Sequence, residues 1–124
     1  MANRYLEPRV KTVSSGIPGR HIWSARHNHV VIDDSAAHGG PGDAPGAGEL
    51  FLAGITGCAT LMMERLARAA KAPLTRVEVT MHGVIDTEAK REGPAVFESA
   101  RLEFLMAGIP EAQAREFVET YKRR

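Results

Sequence analysis

A chain of 124 residues with 44% hydrophobic and 25% charged residues has the make-up of one globular domain. Its formal net charge of +1 gives no electrostatic reason to expect a nucleic acid or an anionic membrane as partner. The single cysteine excludes an internal disulfide and a cysteine-rich zinc site. Residues 1–20 hold no apolar run that reads as a signal peptide, so the expected location is a reducing cytoplasm.

Residues 1–9 are polar and read as a loose or edge segment. Val10 to Val13 reads as a short strand, and Ser14 to Gly19 as a turn built on two glycines and Pro18. Arg20 to Arg26, with Ile22 and Trp23, reads as a second strand. His29 to Asp33, with Val30, Val31 and Ile32 in its middle, reads as a third. From Ala36 to Gly48 the density of glycine and proline argues against a regular element, and a long loop of this kind is often functional. A plain linker is the alternative.

The longest signal follows, a helix from about Glu49 to Lys71, stopped by Pro73. Leu50 to Met63 carries no charge. Glu49 stands at its start and Glu64, Arg65 and Arg68 close it, close to the charge order a helix dipole favours. Leu50, Gly54, Gly57, Leu61 and Met62 share a face, while Phe51, Ile55 and Leu66 make the other faces apolar too. A helix apolar all round is a buried one. The uncharged run is shorter than the roughly 20 residues a bilayer span needs, so the expectation is the central helix of a soluble core.

Beyond it, Arg76 to Asp86 alternates Val77, Val79 and Met81 against Arg76, Glu78, Thr80 and His82, the pattern of a half-buried strand. Thr87 to Pro94 is a charged turn. Val96 to Ala107 is a second long strand, broken by Gly108. Pro110 suits the first turn of a final helix whose apolar stripe is Ala114, Phe117, Val118 and Tyr121. The fold class is therefore α+β, one domain over 1–124. So few elements have trouble burying the central helix on every side, and two chains that sandwich a pair of such helices between their sheets would solve this. Gly54 and Gly57 would let the helices approach closely. The expected assembly is an intertwined homodimer.

Cys58 sits in the middle of that helix. A free cysteine commonly behaves as a small buried hydrophobe. A reactive one must be a thiolate, which needs a cation or donors close by. The helix dipole acts only near the first turn, so the cation must come from another segment. Arg20 and Arg26 are the candidates, with His27 and His29 near. Glu49 lies on the far side of a straight helix from Cys58, about 180° round and ~13 Å along the axis. It would act only by gripping an arginine or across a dimer interface; a plain helix N-terminal acid is the alternative. His27 and His29, two apart, would share a strand face, and with His21, His38 or His82 could in principle hold a metal. No carboxylate stands at ligand spacing, so neither metal nor cofactor is expected. Gly39-Gly40-Pro41-Gly42 lacks the lysine and hydroxyl of a phosphate loop, and no serine nucleophile elbow is present.

Three stretches carry a resemblance: Ala25-Arg26-His27-Asn28-His29-Val30-Val31-Ile32-Asp33, His38-Gly39-Gly40-Pro41-Gly42, and Gly48-Glu49-Leu50-Phe51-Leu52-Ala53-Gly54-Ile55-Thr56-Gly57-Cys58-Ala59. Together with the order of elements they resemble the OsmC/Ohr family. The resemblance implies a homodimer with two long central helices buried between sheets. It also implies reduction of hydroperoxides, especially organic ones, by a peroxidatic cysteine that becomes a sulfenic acid. In the family a second cysteine resolves this to a disulfide, which dithiols reduce. An arginine from the N-terminal region, held by a glutamate near the helix start, lowers the thiol pKa. Cys58 matches the peroxidatic position, Arg26 the arginine with Arg20 second, and Glu49 the glutamate. In the characterised peroxidases the glutamate is one residue further from the cysteine, where this chain has Gly48. The resolving cysteine would follow Lys122-Arg123-Arg124. This sequence departs from that pattern in having one cysteine, which leaves open a one-cysteine cycle in which an external thiol or dithiol reduces the sulfenic acid. A non-catalytic dimer that binds a small apolar ligand or a partner is the other reading.

Overall fold

The computed structural model describes residues 4–88 and 97–123. The chain divides into two compact units, Met1–Phe51 and Leu52–Arg124.

The first unit holds an antiparallel sheet of three strands in the order β1 (Lys11–Ser14), β2 (Arg20–Ala25) and β3 (Asn28–Asp33). Ser15 organises the first turn: its Oγ accepts from the Ile17 N–H at 3.1 Å and donates to the Arg20 carbonyl at 2.8 Å. β2 ends one residue earlier than expected. Arg26 is not in the strand but in the hairpin turn after it, with φ of 56°. A two-residue hairpin turn needs a positive φ to match the strand twist, and here an arginine takes it. Trp23, Val30 and Ile32 lie on one half-buried face, with Thr12, Trp23 and Val30 in register. Val13, Ile22 and Val31 form an exposed row on the other face. The loop after β3 is less irregular than its composition suggests, because Ala36–His38 makes a short 3-10 turn closed by Gly39 at φ 90°.

Helix α1 (Ala47–Ala69) begins in the first unit and continues through the second. Its start is capped from within: the Gly46 N–H donates to Glu49 Oε1 at 2.9 Å, the return bond of a capping box. Its end comes before Pro73 does anything. Lys71 takes a left-handed φ of 53°. The Ala72 N–H then reaches the Ala67 carbonyl at 2.8 Å and the Lys71 N–H reaches Arg68 at 3.1 Å. That bond pair is a Schellman stop, with lysine where glycine is usual.

The second unit pairs β4 (Arg76–Val84) with β5 (Ser99–Ala107) antiparallel and ends in α2 (Glu111–Lys122). Both strands are shorter than expected; Ile85 and Asp86 lie beyond β4. Part of the charged turn and Val96 lie outside the described residues. The expected alternation of β4 is observed, and its apolar members oppose those of β5: Val77 with Met106, Val79 with Phe104, Met81 with Leu102. Met63, Ala67 and Phe117 form the buried core, against which Leu66, Leu74, Val77, Phe104, Met106 and Tyr121 pack. Phe104 and Tyr121 meet edge to face, with ring centroids 5.9 Å apart.

Within one chain α1 is not buried all round. Ala59, Met63 and Ala67, four residues apart, form its buried stripe. Gly54, Cys58 and Leu61 are exposed, with no neighbour within 4 Å of a Cβ built on Gly54 or Gly57. The elements present cover only one side of the helix. At 23 residues α1 is also long and apolar enough, by length and composition, to cross a membrane, which the uncharged run alone did not suggest. Its stripe of Ala59, Met63 and Ala67 is that of a core helix.

Candidate functional site

The first unit carries a cleft of about 670 Å³ lined by Ile32, Asp33, Asp34, His21, His38 and Glu49, with the glycine-rich loop along its wall. Its best-built feature is Asp33, the only buried charged residue among those described. Arg20 holds it with a bidentate fork, Nε to Oδ1 and Nη2 to Oδ2, each 2.8 Å. The backbone N–H groups of Asp43 and Ala44 donate to the same Oδ2 at 3.0 and 2.9 Å. Hydrogen bonds from Arg20, with those backbone donors and the Arg20 charge, outweigh desolvation and hold the Asp33 carboxyl down at about 2, against an ordinary value of 3.8. The same pairing raises Arg20 above its ordinary value.

Asp33 was not among the residues the sequence reading picked for a site. An acid at the end of a β-branched strand reads as a strand terminator. Its arginine is thirteen residues away, a spacing that only the strand register, Arg20 opposite Asp33, makes meaningful.

The residues the sequence singled out are placed as follows. Cys58 is exposed on α1, in the second unit. Glu49 caps the helix start through Gly46 and lines the cleft. Arg20 is committed to Asp33, with a second acid, Asp43, at 3.6 Å. Arg26 stands on the hairpin turn, and no described residue pairs with its guanidinium. His27 and His29 do not share the strand face that their spacing had suggested. His27 is in the turn, off the strand face of His29, whose Nδ1 lies 2.8 Å from Ser24 Oγ. His38 bonds Ser35 at 3.1 Å and lies 3.7 Å from Asp34. Among the described residues no group of three or more His, Cys, Asp or Glu is placed to hold a metal ion.

A strand-rich first unit with a glycine-rich loop, and a long cysteine-bearing helix followed by an antiparallel pair and a closing helix, make a mixed α/β protein with two antiparallel sheets and two α-helices among the described residues, compatible with an OsmC-like fold. The family model described as OsmC-like protein matches residues 40–124, which include the loop from Gly40 onward, α1 with Cys58, β4, β5 and α2. The chain belongs to the OsmC-like family, one generally associated with peroxide resistance. No curated protein matches the chain.

Proposed function

We propose that this protein is a thiol-dependent hydroperoxide reductase of the organic-hydroperoxide type, acting as a homodimer with Cys58 as its peroxidatic thiolate. The observation that carries the reading is the position of Cys58: the chain's one thiol, exposed, in the family-matched part of the chain, on a helix face with room around it. The thiolate attacks one oxygen of the O–O bond. That bond breaks, the alkoxide leaves and takes a proton as the alcohol, and Cys58 becomes a sulfenic acid. An external thiol displaces water from the sulfenic acid to form a mixed disulfide. A second thiol, or the other end of a dithiol, returns Cys58 and leaves as the oxidised reductant.

Arg26 is the cation we assign to this thiolate, because Arg20 is spent on Asp33 and no described residue pairs with Arg26. Glu49 is assigned to hold that arginine. Dimerisation through the exposed face of α1 would cover Leu61 and Cys58 and pair the two central helices. The working place for such a cycle is a reducing cytoplasm, which supplies the thiol. The test is consumption of an organic hydroperoxide with a dithiol reductant, compared with Cys58→Ser. Turnover lost in the variant supports the reading, and equal rates end it.

A second reading has its own support. Glu49 is engaged with the Gly46 N–H rather than with an arginine, and the face of α1 that carries Cys58 is apolar and exposed. A non-catalytic dimer holding a small apolar ligand fits both. It predicts an unmodified Cys58 after exposure to hydroperoxide.

A further inference from the structure

We propose that Arg20 and Asp33 form a clamp that fixes the path of the glycine-rich loop into α1, and that Asp33 is thereby a positioning residue for Glu49. The bonds run along the chain without a gap. Arg20 forks onto Asp33, and Asp33 receives the amides of Asp43 and Ala44. The Asp33 N–H donates to the Pro45 carbonyl at 3.0 Å. The next residue, Gly46, donates to Glu49. On the other side of the loop, the Gly42 N–H reaches the Asp34 carbonyl at 3.1 Å and the Asp34 N–H reaches Gly19 at 2.8 Å.

The close fit of the backbone supports the same device. A Cβ on Gly40 would stand 2.4 Å from the Asp34 carbonyl oxygen, and one on Gly19 would stand 2.8 Å from the Gly40 Cα. The loop is thus laid directly on the end of β3 and held by one carboxylate with four donors. A charged acceptor with that many donors is strong because every donor is shared with one buried anion. Its removal leaves two amides without their acceptor and the partly exposed Arg20 guanidinium with only Asp43 beside it.

The claim about the loop stands alone. The claim about Glu49 rests on the reaction proposed above, so the test reads them separately. Amide exchange is followed by NMR on the full chain for the wild type, Asp33→Asn and Arg20→Lys. The clamp predicts that exchange at Asp43, Ala44 and Gly46 rises roughly 10–100-fold in Asp33→Asn, while amides of the Met63–Phe117 core stay within the wild-type range. Arg20→Lys keeps the charge but loses the fork, and is expected to give a smaller rise at the same amides; it serves if Asp33→Asn does not fold. Wild-type exchange at those amides in the variants that fold overturns the clamp. For positioning, hydroperoxide turnover is compared in Asp33→Asn, Glu49→Gln and the double variant. Asp33→Asn is expected to lower turnover alone and to add nothing once Glu49 is changed. Additive losses overturn the positioning role. No turnover in the wild type removes the proposed reaction and with it the role of Glu49, while the exchange data still decide the clamp.

Discussion

Arg20 and Asp33, directly opposite each other on β2 and β3, form a two-point ion pair in which Asp33 is fully buried and Arg20 is about one-quarter exposed, at 27%. The pair joins the start of one strand to the end of the next and to the loop that leads into α1. It also settles which of two arginines is already in use.

The pair makes stability depend on acid pH. Asp33 has its carboxyl lowered on folding, so its contribution is fully present above 3.8 and is lost as pH falls through about 2. Asp33→Asn removes that contribution at neutral pH. Urea midpoints measured from pH 7 to pH 2 should show the wild type more stable at neutrality, with the gap to Asp33→Asn closing across the acid window. A gap independent of pH would mean the carboxylate charge does not matter.

The core of the second unit rests on Met63, which is 0% exposed. Met63→Ala should cost about 2–5 kcal/mol, the range for truncating a fully buried large side chain. Urea unfolding measures it, and a cost near zero would mean the site collapses around the change.

Arg26 is held at φ 56°, where an L-residue loses on the order of 1 kcal/mol. Arg26→Gly should relieve that strain and raise stability by up to about 1 kcal/mol, while lowering hydroperoxide turnover by roughly a hundredfold, the scale for losing one preorganised charge donor. Stability and turnover moving in opposite directions is the signature. If turnover is unchanged, Arg26 is only a turn residue.

The exposed face of α1 should be the dimer contact. Leu61, 46% exposed in the single chain, is the residue to charge. Leu61→Glu should shift the protein from dimer to monomer in sedimentation velocity while leaving the far-ultraviolet circular dichroism of the chain unchanged, because the buried stripe of α1 is a different one. A wild type that sediments as a monomer would contradict the assembly.

Much of the fold was legible because it is local. The alternation of Val77, Val79 and Met81 gives the wet and dry faces of β4 directly, and Phe117, Val118 and Tyr121 of the expected α2 stripe are the residues that meet the core. Helix α1 was legible in length and position, but its end was read from Pro73 when a left-handed Lys71 had already stopped it. Lysine carries no turn signal, so nothing in the residue types marked it. Arg26 was read as a strand residue for the same reason. The Arg20–Asp33 pair was not legible because strand register, a long-range property, brings the two together. Cys58 stood out as the lone thiol, but whether it was covered depended on which stripe of an all-apolar helix meets the core, and composition does not separate those stripes.

The most direct measurement of the central claim is the fate of the Cys58 thiol. The 124-residue chain is treated with about one equivalent of an organic hydroperoxide in the presence of a sulfenic-acid trap, and its intact mass and the remaining peroxide are read together. The account predicts rapid loss of peroxide and one trap adduct on Cys58, with neither in Cys58→Ser. Peroxide left intact beside an unmodified Cys58 would contradict it.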